Sequence, residues 1–267
     1  MNEAPVLSEI NIYPIKSARG ISVKTSQLVE RGLRFDRRWM VVGTDGQFIT
    51  QRQQPRLALI APRIELDRMI VSAPGMEDLG LPLEMDGPGV LPVRVWDDDV
   101  QAVPAGAEAR QWFSEFLGIS CQPVYMPEDS IRPVDPDYAL NRDQVSFADA
   151  FPALLISQAS LDDLNSRLAA PVPMNRFRPN LVVTGCAPYA EDAWRKIRIG
   201  EVIFHLVKPC ARCATTTVDQ ATGMMGKEPL ATLAQYRKQN GKVLFGQNLL
   251  HENPGTIETG QPVIIIG

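Results

Sequence analysis

The sequence has few of the residues that build disulfide frameworks, metal clusters or nucleic-acid surfaces. Its 267 residues include four cysteines and two histidines, and the formal net charge is -4. Four unevenly spaced cysteines do not form a disulfide framework, and an acidic balance argues against a general phosphate-backbone-binding surface. No apolar run approaches the ~20 residues of a membrane helix, and no basic-then-apolar leader opens the chain. These absences predict a cytoplasmic protein with neither a membrane nor a nucleic-acid polymer as partner.

Two of the four cysteines, Cys210 and Cys213, lie three residues apart. Alternating apolar residues upstream predict a strand over residues 201–207, and Pro209 is expected to end it because proline cannot donate to a sheet ladder. The β-branched run at residues 215–218 predicts a second strand. The two cysteines are therefore expected in a loop. A thioredoxin-type Cys-x-x-Cys opens a helix instead, so this context argues against a redox dithiol.

Three interpretations of the cysteine pair remain open at this point. A structural zinc site needs two further nitrogen or sulfur ligands. The unpaired candidates for those ligands are Cys121, Cys186, His205 and His251. The second interpretation is two inert buried thiols. The third is a single reactive thiolate, which the positive charges of Lys208 and Arg212 would favour by lowering the thiol pKa and which would bind a soft metal.

Short strands and turns dominate the rest of the chain. Strand patterns occur at residues 8–16, 38–50, 57–60, 64–66, 69–71, 93–103, 181–184, 197–207, 243–245 and 263–266. Apolar periodicity predicts helices over residues 107–117, from a cap at Ser160, and from about Pro229. Residues 126–143 are polar and contain proline, which predicts a long loop. Together these patterns predict an α+β, mainly β, fold with sheets that curl into barrels, and a boundary after Cys121.

The run Pro-Cys-x-Arg-Cys-x-x-Thr-Thr-Val-Asp at residues 209–219 resembles the signature of the MOSC family. That family includes molybdenum enzymes that reduce amidoximes and bacterial relatives that reduce N-hydroxylated bases. In it the second cysteine of the pair ligates molybdenum, which implies that Cys213 is the metal ligand and the catalytic residue. The resemblance covers nearly the whole chain. It implies a MOSC N-terminal β-barrel-like domain over residues 1–121 and a molybdenum-cofactor-binding MOSC β-barrel with flanking helices over residues 122–267.

A metal bound by a single cysteine needs further ligands from another source. In the family this is a pterin with a dithiolene and a phosphate, so several loops should supply phosphate-binding groups. Basic residues of that kind occur at residues 16–17, 36–39, 51–53 and 176–180, and the planar fork of arginine matches phosphate oxygens. Their order corresponds to motifs of the family. The resemblance implies that the pterin and its phosphate contact Lys16, Ser17, Arg37, Arg178, Asn180, Arg212 and, from a turn at residues 147–150, Asp149.

Two positions depart from the family pattern. Gln220 stands where many members have proline, and Arg38 stands where relatives carry an aromatic residue. The first departure changes the stiffness of a turn and removes no ligand.

The leading hypothesis is a molybdenum-pterin oxidoreductase that removes oxygen from small N-hydroxylated compounds. Some relatives carry a ferredoxin-like domain whose two-iron cluster needs four closely arranged cysteines, and this sequence has no such set. A separate ferredoxin-like or flavin reductase is therefore expected to deliver electrons. The alternative is a carrier that holds sulfur or the molybdenum cofactor for other enzymes, with Cys213 as a persulfide or thiolate site.

Overall fold

The computed structural model of the chain describes residues 4–87 and 89–267. Those residues form the strands β1 (Val6–Ile12), β2 (Ile21–Val23), β3 (Thr25–Val29), β4 (Gly32–Leu33), β5 (Trp39–Gly43), β6 (Ala61–Glu65), β7 (Arg68–Ser72), β8 (Leu79–Pro82), β9 (Leu91–Val95), β10 (Asp98–Pro104), β11 (Cys121–Tyr125), β12 (Ala153–Ser157), β13 (Leu181–Thr184), β14 (Lys196–Ile199), β15 (Val202–Arg212), β16 (Lys238–Gln239), β17 (Lys242–His251), β18 (Gly255–Glu258) and β19 (Val263–Ile265). The α-helices are α1 (Ala107–Leu117), α2 (Gln158–Arg167) and α3 (Leu230–Tyr236). Short 3-10 turns lie at Pro55–Leu59, Met174–Arg176, Ala190–Asp192 and Ala214–Thr217.

The largest sheet combines strands from both ends of the chain. Its order is β19-β14-β15-β17-β12-β13-β1-β2, with β16 paired to β17. Backbone hydrogen bonds from Leu7 N to Gln261 O (3.0 Å) and from Val263 N to Pro5 O (2.6 Å) join β1 to the segment that leads into β19. The sheet therefore curls back on itself, and its inward residues form one apolar core that includes Leu155, Phe204 and Leu249.

Three smaller sheets hold most of the remaining strands. Their orders are β5-β11-β10-β9, β6-β7-β8 and β18-β3-β4. Helix α1 buries Trp112, Phe113 and Phe116 in a second core that also contains Trp39 and Tyr125. The predicted α+β, mainly β, class with barrel-like parts is confirmed. The boundary after residue 121 stays a prediction, because β11 begins there and pairs with β5 on the preceding side.

The helices follow local sequence signals, with one error in the prediction. Helix α1 has the predicted bounds and ends at Gly118, which adopts a φ of 69°. Helix α2 begins earlier than expected, because Ser157 caps it by accepting a hydrogen bond from Ser160 N. The Ser160 hydroxyl bonds the buried carboxylate of Glu191 at 2.8 Å instead. In the part of the chain that the structure describes, no helix is both long and apolar enough to cross a membrane.

The predicted strand at residues 57–60 is wrong, since Pro55–Leu59 forms a 3-10 turn. Proline at the first position suits a helical turn, and Ile60 N donates to Leu57 O, three residues back. The apolar run that suggested a strand reflects burial, because Leu57 and Ala58 are both fully buried.

The expected loop around the cysteines is also wrong in part. Strand β15 continues through Pro209 to Arg212, so Cys210 lies within a strand and Cys213 lies directly after it. The ladder with β17 shifts register on both sides of Pro209, and bulges are the places where a sheet tolerates proline. The predicted strand at residues 215–218 is a 3-10 turn instead, in which Thr216 and Thr217 hydroxyls donate to backbone carbonyls three residues back.

Candidate functional site

One pocket brings together every residue that the family resemblance implicated. It lies where the loops after β1 and before β5 meet the end of β15 and the loops before β12 and β13. Its lining includes Lys16, Ser17, Arg37, Asp149, Arg178, Asn180, Arg212 and Cys213. Residues more than 100 positions apart in sequence therefore share one site, and the role of each remains a prediction.

The two cysteines of the motif have different environments. Cys213 is exposed, and its sulfur lies 3.4 Å from Thr215 Oγ1. Cys210 is partly buried in β15, and Arg212 Nη1 donates a hydrogen bond to its sulfur at 3.0 Å. The interpretation of two buried inert thiols is wrong for Cys213, which is open to a ligand. Lys208, the other expected neighbour, places its ammonium over the Tyr138 ring at 4.1 Å.

The other candidate zinc ligands lie elsewhere in the fold. Cys121 is buried in the core beside α1, and Cys186 packs against the core of the large sheet. His205 Nε2 is 2.6 Å from Glu252 Oε1 on the surface. Among residues 4–87 and 89–267, no three His, Cys, Asp or Glu side chains are grouped to hold a metal ion.

Lys16 forms an ion pair in the wall of the pocket. Its ammonium donates to Asp149 Oδ1 at 2.6 Å and to Phe147 O at 2.7 Å. The Lys16 side chain is 6% exposed and that of Asp149 is 70% exposed. Burial lowers the pKa of Lys16, against the opposing effect of the carboxylate. Partial loss of hydration opposes ionisation of Asp149, but the adjacent Lys16 ammonium outweighs that effect and holds the pKa of the carboxyl below its usual range.

A second network fixes Arg37 and Asn180. The buried carboxylate of Asp36 accepts hydrogen bonds from Tyr13 N (2.8 Å), Asn180 Nδ2 (3.1 Å) and Arg37 Nη1 (2.5 Å). Arg37 Nη1 also donates to Asn180 Oδ1 at 2.9 Å. Burial raises the pKa of Asp36, and the Arg37 guanidinium opposes that rise. Asp36 was part of the recognised motif, but its supporting role is visible only in the structure.

Tyr13 is a further residue whose role the sequence did not reveal. Two guanidinium groups lie over its ring, with those of Arg37 and Arg178 each 4.3 Å from the ring centroid. Burial raises the pKa of Tyr13 to about 12 and lowers that of Arg178 to about 10. The only sequence signal was the position of Tyr13 three residues before Lys16. This aromatic residue positions two of the predicted cofactor-binding arginines.

Three of the predicted site residues have a left-handed backbone conformation. The φ angles are 67° at Ser17, 49° at Arg37 and 56° at Arg178. Residues other than glycine seldom adopt such angles, and they persist where surrounding contacts determine the backbone. Hydrogen bonds from Gln51 Nε2 to Ser17 O (2.7 Å) and from Arg37 Nη2 to Arg178 O (3.3 Å) are among those contacts.

The charges of the pocket favour an anion. Lys16 and Arg37 are paired with carboxylates. Arg52, Arg178 and Arg212 also line the pocket, and none of them has an ion-pair partner among the described residues. The Nε atom of Arg212 is buried without a hydrogen-bond partner. Guanidinium groups without counterions fit anionic ligands such as a phosphate or a carboxylate.

The two departures from the family pattern have different positions. Gln220 is buried and exchanges side-chain hydrogen bonds with Gln51 at 3.1 and 2.9 Å. Since Gln51 also holds Ser17 O, this pair links the turn after Val218 to the pocket. Arg38 points elsewhere: its guanidinium lies 4.9 Å from the Tyr125 ring centroid and pairs with Glu128 at 2.6 Å.

Each half of the chain matches a described domain family. Residues 4–120 match the family described as the MOSC N-terminal beta barrel domain, and residues 142–264 match the MOSC domain. The chain belongs to the MOSC family.

The curated relatives are similar to this chain along nearly its whole length. It is 41% identical over 286 residues to mitochondrial amidoxime-reducing component 1 of Mus musculus, covering 100% of this chain and 84% of the relative. The Homo sapiens protein of the same name is 38% identical over 285 residues, covering 100% and 85%. Mitochondrial amidoxime reducing component 2 of Bos taurus is 38% identical over 282 residues, covering 98% and 84%. The family expected from the cysteine motif is confirmed.

Proposed function

We propose that this chain is a molybdenum-pterin-dependent reductase of N-hydroxylated compounds such as amidoximes and N-hydroxylated bases. The observation that carries the proposal is the coincidence of the exposed Cys213 thiol with three guanidinium groups that lack counterions, all in one pocket. The names of the curated relatives support the substrate class.

The residues present fit such a cofactor. Cys213 supplies one soft ligand of the kind that binds molybdenum, and Arg178 and Arg212 supply forked donors for the phosphate of the pterin. Ser17 and Asn180 line the same pocket and add neutral polar groups. When bound, the molybdenum centre supplies the chemistry that takes the oxygen atom from nitrogen.

The protein's own contribution is positioning. Tyr13 and Asp36 fix Arg37 and Asn180 beside the pocket, so the binding groups are in place before a ligand arrives. Electrons are expected from a separate ferredoxin-like or flavin reductase. Reduction consumes two electrons and two protons per substrate and releases water.

The test is elemental analysis and pterin release on protein purified from a host that makes the cofactor, followed by an activity assay. Benzamidoxime with reduced methyl viologen as electron donor should give benzamidine, and NADPH alone should give none. Molybdenum near one atom per chain together with turnover supports the proposal. Zinc, or a chain that loads molybdenum and pterin yet leaves benzamidoxime unchanged, counts against it, and the latter result favours the carrier alternative.

A further inference from the structure

Arg52 is an arginine of the pocket whose charge the protein leaves uncompensated. Its Nε atom donates to Thr50 Oγ1 at 3.2 Å. Its two terminal nitrogens make no hydrogen bond, and its guanidinium makes no ion pair, within the residues that the structure describes. The group lies over the Trp96 ring, 4.4 Å from the centroid, and 6.0 Å from that of Phe48. Such a contact orients a guanidinium while leaving its fork open to an anion.

A hydrogen bond to a residue of the pocket holds Trp96 in place. It lies in the turn between β9 and β10 with a φ of 57°, which is rare for a bulky residue. Its indole N–H donates to Asp149 Oδ1 at 3.2 Å, the oxygen that also receives the Lys16 ammonium. Phe48 packs against it with ring centroids 5.2 Å apart. A strained backbone and a hydrogen bond into the site indicate that Trp96 supports a neighbouring group.

The position of this pair differs from that of the other two uncompensated arginines. Arg178 donates to Ala18 O and lies against the buried Tyr13 ring, while Arg212 donates to Phe177 O and to Cys210. These two are tied to the inner walls. Trp96, in contrast, is 41% exposed and lies outside the pocket lining, so the Arg52 guanidinium stacks on a solvent-facing residue at the edge of the pocket.

We propose that Arg52, supported by Trp96, is a specificity-determining residue that favours N-hydroxylated substrates carrying a carboxylate. The inference rests on the proposed reductase function and adds a substrate class to it. A carboxylate matches the open fork of Arg52 with two parallel hydrogen bonds. Arg178 and Arg212 remain available to bind the phosphate of the cofactor.

The experiment compares two ligands that differ by one carboxylate, benzamidoxime and 4-carboxybenzamidoxime, by calorimetric titration into molybdenum-loaded protein. The wild type should bind the carboxylate form on the order of tenfold more tightly, as expected for a charge-assisted hydrogen bond. The preference should disappear in R52Q and shrink in R52K, which keeps the charge without the fork. The wild-type preference for the carboxylate ligand should also fall as ionic strength rises, and this measurement needs no variant.

R56Q is the matched control. Arg56 lies four positions further along the chain, and its guanidinium stacks on Phe116 at 4.5 Å, on the core beside α1 and outside the pocket lining. R56Q should keep the wild-type preference. Equal binding of the two ligands by the wild type, or an unchanged preference in R52Q, overturns the proposal.

Two further results separate the inference from the proposed function. Loss of molybdenum and pterin from R52Q, with R56Q still loaded, would place Arg52 in the cofactor cradle and overturn its assignment to substrate. Failure of the wild type to reduce either ligand with reduced methyl viologen would overturn the reductase function. The ratio of the affinities for the two ligands would still decide whether Arg52 recognises a carboxylate, because binding is measured without turnover.

Discussion

Arg212 Nη1 donates a hydrogen bond to the sulfur of Cys210 at 3.0 Å, so the two cysteines of the motif have different surroundings. Cys210 helps to orient an arginine of the pocket wall. Cys213 has no such contact with Arg212 among the described residues, and its thiol is exposed.

Cys213→Ala and Cys210→Ala should therefore give different results. We expect Cys213→Ala to lose molybdenum and to reduce activity to background, because the exposed thiol of the pocket has been removed. Cys210→Ala should keep its molybdenum and lose less than about tenfold in activity, since one hydrogen bond to Arg212 is lost. Metal content by mass spectrometry and reductase activity are the measurements. Equal loss in the two variants would favour a relay that uses both thiols, as expected of a persulfide carrier.

Asp149→Asn should lower stability in a pH-dependent way. The folded pKa of Asp149 is depressed, so its ionised form stabilises the fold above about pH 4, the pKa of an unfolded aspartate. That contribution is lost as pH falls through the folded pKa. Because Asp149 is largely exposed, we expect a difference of about 1 kcal/mol at pH 7 that begins to shrink as pH falls below about 4 and continues to shrink towards the depressed folded pKa. Urea denaturation across this range measures it. The exposed Asp137, which forms no ion pair in the described part of the chain, supplies the control variant Asp137→Asn.

Gly246→Ala adds a single methyl group and should lower the stability of the protein strongly. Gly246 has a φ of 82°, and a Cβ there would lie 2.6 Å from Ile156 Cγ1 and 2.9 Å from Leu155 O on the neighbouring strand β12. Strain and overpacking together should cost about 3 kcal/mol or more. Gly260 has a φ of 90° but open space around it, so Gly260→Ala should cost about 1 kcal/mol. Similar urea midpoints for the two variants would contradict the packing argument.

Gln220→Ala tests the link between the turn after Val218 and the pocket. Gln51 is fully buried and exchanges hydrogen bonds with Gln220, so removing Gln220 leaves polar atoms of Gln51 without partners. We expect a loss of about 1–2 kcal/mol in stability and weaker retention of the pterin, because Gln51 also holds Ser17 O. Gln239→Ala, an exposed position on β16, is the control. A Gln220→Ala protein as stable as that control would show that the buried pair contributes little.

The sequence predicted elements well where one local rule decided the outcome. Helix α1 combines an apolar stripe with a terminal glycine, and strand β13 is a short β-branched run; both have the predicted bounds. Predictions failed where distant contacts changed the local preference. Pro209 was expected to end a strand, but the register shifts against β17 accommodate it. The threonines after Cys213 favour a strand by propensity, yet their hydroxyls bond nearby carbonyls and form a 3-10 turn.

The site residues could be named from the family motif, but their arrangement could not. No local pattern shows that Lys16 reaches Asp149, 133 positions along the chain, or that one tyrosine ring contacts both Arg37 and Arg178. Arg52 belongs to a run that was expected to supply phosphate-binding groups, but the resemblance did not place it among the residues that contact the cofactor. Its uncompensated charge became visible only when the positions of all nearby carboxylates were known.

The pairing of β1 with β13 also determines when the pocket can form during synthesis. Residues Val6–Ile10 pair with Leu181–Thr184, so an early strand must wait for one made more than 170 residues later. At ribosomal rates of about 5–20 residues per second, that delay is about ten seconds or longer. Pairings this distant in sequence slow folding, because a long loop must close before the contact is made. The loop of Lys16 and Ser17 follows β1 directly, so these two cofactor-binding candidates are translated early and reach their final positions late.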